Sequence, residues 1–465
     1  MLSLKPYLKL CLLITAFQIA GCQKNTNQDV LEQSFYHNVE GVTEQKLHPE
    51  YWIAKATQPS KVIMSAEKIN EFNALQFQSK EYLTDPLTYP STMVGTEVTA
   101  LIKEFSKPSK YDRFYPDGTK LTQAHYQPYL DEMALDKISA EQTIGFALVT
   151  KRAVMRMLPT LDRVLNSGMD YDIDRFQETA AFPGEALAIL HTSKSGEWMF
   201  VQNYNYRAWI QTKHLAVGEK ADIEKFKHSK DFLLITGAKE FTTFNPYDES
   251  TSEVQLDMGV TLPLISYEDF GKHELDRLNP YTGHIVQLPT RNVDGTLTIK
   301  PSLIPRSADV NIGYLAHTKE NIIKQSFKFL GERYGWGHDF NARDCTGFIG
   351  EIYKTFGFLM PRNSGQQGNA EFGENIRFEK QDPINTKMPK LMSMEAGDLV
   401  YLPGHVAMVL GYDDDKPFLI HDVHGLGYHN SQGEKVSGIL NGVSVTPLLA
   451  FESYLKGIYN IKKIK

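Results

Sequence analysis

Cysteine is scarce in this 465-residue chain, which holds only Cys11, Cys22 and Cys345. That count excludes a disulfide-built scaffold, and the spacing excludes a Cys-x-x-Cys metal site. No His-Glu-x-x-His run offers a zinc site in its place. Positive charge is also short: 49 Lys and Arg face 56 Asp and Glu, for a formal net charge of -7. An acidic chain of this kind is a poor partner for nucleic acid. Long apolar runs are missing as well; the N-terminal run from Leu10 to Ala16 falls well short of the ~20 residues that span a bilayer. What remains is ordinary globular composition, 42% apolar and 23% charged, over a length suited to roughly three or four domains.

The N-terminus has a pattern of its own. Lys5 and Lys9 precede the apolar run, which ends at Ile19-Ala20-Gly21-Cys22, small residues leading into a cysteine. This reads as a bacterial lipoprotein signal over 1–21, with Cys22 as the lipidation site, and its loss would take the net charge from -7 to -9. Cys11 would leave with the signal. Cys345 is then the single thiol of the folded body, unpaired in an oxidising compartment, and catalysis or burial must account for it.

Residues 22–48 are polar and aperiodic and read as a tether without structure. From 49 to 144, mixed apolar segments broken at Asp85-Pro86 and Asp117-Gly118 read as a mostly helical unit. Between 145 and 218 the texture changes to short alternating strands, separated by turns at Pro183-Gly184 and Lys194-Ser195-Gly196, as in a small closed barrel. Residues 228–306 repeat that texture with longer loops and suggest a second barrel. The last segment, 318–465, begins helical and ends in strands, which makes the whole chain multidomain α+β.

The chemistry concentrates in that last segment. Tyr334-Gly335-Trp336-Gly337 opens a loop that leads to Asp344-Cys345-Thr346-Gly347-Phe348. Phe348, Ile349, Ile352, Tyr353 and Phe356 then keep helical period, which sets Cys345 in the first helical turn with Asp344 as N-cap. Helix-start amides favour a thiolate, the nucleophilic form. His405 begins an alternating strand, Gly404 to Leu410, and a turn at Asp413 to Lys416 brings back Pro417 to Val423. A hairpin centred near Asp413 sets His421 opposite His405, as a third polar group orienting the base. A register slip would substitute His424. Cys345, His405 and His421 could alternatively ligate zinc, but no paired-ligand spacing accompanies them, so no metal and no cofactor are expected. Trp336 and Tyr334 either line a cleft or pack.

Together these residues resemble the NlpC/P60 family of papain-like cell-wall peptidases, through the Tyr-x-Trp-Gly loop, the Asp-Cys-Ser/Thr-Gly-Phe helix start and the Gly-His-Val strand. Arg175-Phe176-Gln177-Glu178-Thr179 and Leu190-His191-Thr192-Ser193, with Trp198, resemble the SH3-like module that precedes such domains. The resemblance implies helices packed on an antiparallel sheet, preceded by two SH3-like barrels and a helical stabilising domain. It implies hydrolysis of the γ-D-glutamyl bond to a diamino acid, meso-diaminopimelate, in peptidoglycan stem peptides, favouring a free N-terminal L-Ala. Cys345 would be the nucleophile, His405 the base and His421 the third residue, with Tyr334, Asp344, Thr346 and Trp336 at the substrate. Two departures stand out: His338 replaces the loop's second glycine, where it could reshape the cleft, and Ala208 replaces a glycine before Trp209. A wall-binding protein without activity, or an amidase or acyltransferase on the same fold, are the rival expectations. A monomer is expected, held by lipid on the periplasmic face of the envelope, at the outer membrane.

Overall fold

The computed structural model describes residues 38–465, so the signal and Cys22 lie outside the described residues. Residues 39–465 form one compact unit. Helices α1 (Pro49–Lys55), α2 (Ala66–Ser79), α3 (Gly95–Phe105) and α4 (Gln123–Glu132) come first. They do not share a core of their own. Val98 and Ile102 of α3 and Tyr126 and Tyr129 of α4 are buried with Phe146, Phe176 and Trp209 of the following strands. Trp52 of α1 instead packs on Phe418, and Phe72 of α2 on Phe358 and Phe372, all near the C-terminus.

The segment read as an unstructured tether differs from that expectation in its last part. Lys46 is buried, its ammonium 2.7 Å from Asp413 and 4.5 Å from the centre of the Phe418 ring. The Trp52 indole donates to Lys46 O at 2.9 Å, which seats this stretch on the C-terminal domain. A lysine stem can cover apolar surface while its charge is neutralised, a pairing that polar composition does not disclose.

Seven strands follow: β1 (Gly145–Val149), β2 (Ala153–Arg156), β3 (Gln177–Ala181), β4 (Ala186–Thr192), β5 (Trp198–Gln202), β6 (Arg207–Gln211) and β7 (Leu215–Val217). They pair in the order β7-β1-β4-β5-β6-β2-β3. Period-two alternation sends Ala147 and Val149 into one buried cluster and Phe146 and Leu148 into another, so this small sheet is covered on both faces. Ala208 is fully buried in the first cluster.

Residues 232–312 add a three-stranded sheet, a two-stranded pair and the hairpin Gly283–Arg291 with Leu297–Pro305. These ladders occupy the stretch read as a second barrel, 228–306. Pro289 and Pro301 stand inside the hairpin and lack the N–H that would extend its edges. Leu233, Leu262, Val286 and Ile304 from these ladders join the core that holds α3 and α4.

The C-terminal part places α5 (Lys319–Phe327) and α6 (Cys345–Lys354) against a six-stranded antiparallel sheet. Its strands are β8 (Glu374–Arg377), β9 (Leu399–Leu402), β10 (His405–Asp413), β11 (Lys416–His429), β12 (Lys435–Pro447) and β13 (Asn460–Lys463), ordered β8-β13-β9-β10-β11-β12. This is helix-on-antiparallel-sheet α+β architecture, as expected.

One buried side chain here has a consequence for stability. His317, 1% exposed, packs among Tyr353, Phe356 and Phe358, and neither ring nitrogen has a hydrogen-bond partner. Burial pushes its pKa down to about 4, below the ~6.5 of an exposed histidine. Between those values the unfolded chain takes up a proton that the folded chain refuses, so stability falls as pH drops from ~6.5 to about 4. The His317→Phe variant should lose less of its melting temperature between pH 7.5 and pH 5 than the wild type, by thermal denaturation; equal losses would show that His317 does not contribute.

Candidate active site

The loop before α6 is strained and heavily held. Gly337, His338 and Phe340 have φ of 59°, 65° and 54°, and each such non-glycine residue costs roughly 1 kcal/mol or more unless its surroundings impose it. Those surroundings come from the preceding domains. The Arg152 guanidinium donates to His338 O at 3.0 Å and Ala342 O at 2.9 Å, and Gln177 Nε2 donates to Gly337 O at 2.6 Å. Gly335 admits no side chain, since a Cβ would lie 2.2 Å from Asp339 O. His338, which departs from the family pattern, is buried against α6: its Nε2 is 3.1 Å from Glu351 Oε1, and the ring lies against Gly347.

Arg343 closes the loop and is fully buried. It donates to Glu351 Oε2 at 2.5 Å, Glu332 Oε1 at 2.6 Å, Asp257 Oδ1 at 3.0 Å and Ala238 O at 2.9 Å. Asp257 and Ala238 come from the second strand group, so three parts of the chain meet on one guanidinium.

Asp344 is the N-cap of α6, as expected, and accepts the Gly347 N–H at 2.8 Å. Its other oxygen accepts from Gly337 N at 3.1 Å and from Arg362 Nη2 at 2.7 Å. Burial opposes the charge, but the Arg362 guanidinium holds this carboxyl well below the usual range. Thr346 donates to Asp344 Oδ1 at 3.0 Å and accepts from Arg362 Nη1 at 2.6 Å. Both side chains are therefore engaged inside the protein, framing the start of α6.

Cys345 is the first residue of α6, 7% exposed, with the Val406 backbone N–H directed at its sulfur. The helix start was expected to favour the thiolate. Burial and the neighbouring Asp344 charge outweigh it and push the thiol up to about 12. His405, at the start of β10, is pushed down to about 4 by burial. Burial thus favours the neutral form of each group, the thiol of Cys345 and the imidazole of His405.

His405 Nε2 lies 2.9 Å from His421 Nδ1 on β11. The hairpin register differs from the expected one: Asp413 pairs with Lys416 and Met408 with Ile420, with a bulge between Val409 and Gly411. Continued by one step, this sets His421 opposite Ala407, diagonal to His405 on the same face. His424 is turned elsewhere, its Nε2 3.6 Å from Asp170 and 3.5 Å from Asp172 of the first strand domain. Tyr454 lies edge-on to His421 and tilted against His405.

Tyr334 is buried with its ring centre 5.9 Å from that of His424. The Trp336 indole donates to Gln177 O at 3.2 Å and lies under the Arg175 guanidinium, 5.0 Å away. Sequence reasoning passed over four groups. Glu178 and Tyr206 of the first strand domain hydrogen-bond each other, and burial raises the Glu178 carboxyl to about 7. Both remain partly exposed. Arg362 had no motif to mark it, and Thr446 lies 2.9 Å from His421 Nε2. Glu178 did stand in a quoted motif, where it read as part of a barrel.

A helix-start cysteine against two paired strands that carry one histidine each is the arrangement of a papain-like thiol site. Two family models match parts of the chain. The NlpC/P60 family model matches residues 331–443, and the SH3 domain (SH3b1 type) model matches residues 159–211. The chain thus carries an NlpC/P60 domain preceded by an SH3b domain. It is 25% identical over 253 residues to the γ-D-glutamyl-L-lysine dipeptidyl-peptidase of Bacillus cereus (strain ATCC 10987 / NRS 248), a match covering 50% of this chain and 65% of that one. The Bacillus subtilis (strain 168) protein of the same name is 24% identical over 292 residues, covering 60% and 78%. The chain thus spans just under two thirds of the Bacillus cereus relative. Among solved structures, an NlpC/P60 endopeptidase from Photobacterium damselae subsp. piscicida shares the fold with a TM-score of 0.69 and 17% identity, over 89% of this chain and 96% of that one.

Breaking a buried ion pair by removing one partner costs about 3–5 kcal/mol. Arg362→Leu should lower unfolding stability by about that amount, measured by urea denaturation, because it strands the Asp344 carboxylate. A loss under about 1 kcal/mol, the range of an exposed pair, would show that solvent reaches Asp344.

Proposed function

We propose that this protein is a peptidoglycan hydrolase, a γ-D-glutamyl-diamino acid endopeptidase that cleaves stem peptides through a cysteine acyl-enzyme. The observation that carries this reading is the meeting of Cys345, at the start of α6, with the strand bearing His405, whose far nitrogen is occupied by His421. The names of the two Bacillus relatives support the bond assigned.

With thiol and imidazole both neutral at rest, the nucleophile forms by proton transfer. As the substrate carbonyl approaches, the Cys345 proton passes to His405 and sulfur attacks the γ-carbonyl carbon. Helix-start amides, that of Cys345 first among them, face the developing oxyanion. His405 returns the proton to the amine of the diamino acid, which leaves. Water, deprotonated by His405, then hydrolyses the thioester and frees the thiol. Meso-diaminopimelate is the diamino acid assigned, and the Cys22 lipid would hold the enzyme at the outer membrane, facing the wall. Both assignments extend the sequence reading.

Glu178 supplies the preference for a free N-terminal L-Ala. Its carboxyl lies near the Arg362 guanidinium, deeply placed yet on a partly exposed residue, with the Tyr206 phenol as its partner. An α-ammonium entering there would restore the carboxylate charge that burial opposes.

Cys345→Ala should abolish release of L-Ala-γ-D-Glu from L-Ala-γ-D-Glu-diaminopimelate, followed by mass spectrometry, while leaving the melting temperature near that of the wild type. Turnover by the purified variant would reject the thiol mechanism. If wild type cleaves neither this peptide nor intact peptidoglycan, the wall-binding alternative replaces the enzyme. Glu178→Gln should raise KM for the free-amine peptide about 10- to 100-fold, the worth of one charge-assisted hydrogen bond, with N-acetylated peptide cleaved equally by both forms. An equal KM for the free amine would remove Glu178 from recognition.

A further inference from the structure

The sheet carries one more polar group in line with the two histidines than the mechanism above employs. Thr446 lies on β12, fully buried, paired with Leu419 of β11. Its Oγ1 is 2.9 Å from His421 Nε2, and His421 Nδ1 is 2.9 Å from His405 Nε2. His421 is itself fully buried, and burial together with the His405 ring keeps it from taking a proton. The line therefore has no solvent at its inner end and finishes at a single hydroxyl.

A neutral imidazole has one N–H and one lone pair, and its neighbours decide which nitrogen carries which. His405 can accept the thiol proton at Nδ1 only if its own N–H is on Nε2. That N–H donates to His421 Nδ1, so the His421 proton must be on Nε2, and Thr446 Oγ1 is the acceptor within reach. Reversed, the hydroxyl donates to His421 Nε2, His421 Nδ1–H donates to His405 Nε2, and His405 Nδ1 already holds a proton. The reversed line has no base.

We infer that Thr446 is a positioning residue whose hydroxyl oxygen accepts the His421 Nε2–H and thereby keeps the His405 Nδ1 lone pair free for the Cys345 proton. This rests on His405 being the base, as proposed above. When the proton moves, the bond to Cys345 sulfur breaks, a bond to His405 Nδ1 forms, and the His405 Nε2–H to His421 bond strengthens against the new positive charge. The proton on His421 stays where it is. Thr446 touches neither substrate nor sulfur and acts only through the two rings.

The variants Thr446→Val, close to threonine in shape, and Thr446→Ser, which keeps the hydroxyl, separate this role from packing. With L-Ala-γ-D-Glu-diaminopimelate as substrate, Thr446→Val should lower kcat by about 100-fold, the lower end of a general base's contribution, with KM within about twofold, and Thr446→Ser should restore most of kcat. Alkylation of Cys345 by iodoacetamide gives a readout that needs no turnover: across pH 5–10, Thr446→Val should lose the reaction below pH 8 that wild type and Thr446→Ser retain. If Thr446→Val does not fold by circular dichroism, Thr446→Ala takes its place under the same criteria. The inference is overturned if the hydroxyl-free variant keeps wild-type kcat and alkylation profile, or if Thr446→Ser falls as far as it does. Should wild type cleave no stem peptide, different alkylation profiles uphold the role of Thr446 and discard only the substrate, whereas identical profiles discard the role.

Discussion

The Arg343 guanidinium is the point on which the architecture of the site depends. Buried without solvent, it binds Glu351 of α6, Glu332 ahead of the loop and Asp257 of the second strand group, together with the Ala238 carbonyl. A buried charge is costly unless its partners and hydrogen bonds are complete, and here completion requires segments from separate domains. Arg152, from the SH3b side, extends the same cluster to the loop backbone. The left-handed residues of that loop are affordable because these bonds impose them. The preceding domains therefore hold the backbone that leads into Cys345.

A second consequence is electrostatic. The buried setting that orders the site also disfavours charge on its reacting groups, raising the thiol to about 12 and lowering His405 to about 4. An ion pair formed ahead of substrate would face that desolvation unaided. In the proposed mechanism the charge appears together with the oxyanion and the helix-start amides that face it, so stabilisation is reserved for the reacting state. The His405–His421–Thr446 line fits this economy, because it orients the base without adding a carboxylate whose charge would have to be buried as well.

Much of the site could be read from short stretches of chain. Asp344 as N-cap and Cys345 in the first turn follow from a polar residue set before apolar residues at helical spacing. Period-two alternation likewise revealed the strands of the SH3b domain and β10 and β11. The register of the β10–β11 hairpin was not readable to the residue, because a bulge between Val409 and Gly411 carries no composition mark. His338 illustrates a different limit. As a substitution in a loop motif it suggested an altered cleft, yet its ring lies against Gly347 and Glu351, contacts formed only when the loop folds back over α6.

The sequence by itself determined the local setting of Cys345, the histidine-bearing strand and the change from short strands to the helix-then-strand segment, since each depends on neighbours within a few residues and on periodicities of 2 and 3.6. Tertiary structure alone decided which histidine meets His405, and that Glu178 and Tyr206 of another domain come near Arg362. It alone enclosed Arg343 among three acids and seated residues 39–48 on the C-terminal domain. Those outcomes rest on contacts across 8 to 391 positions of chain, where partners are chosen by packing, burial and charge balance rather than by local pattern.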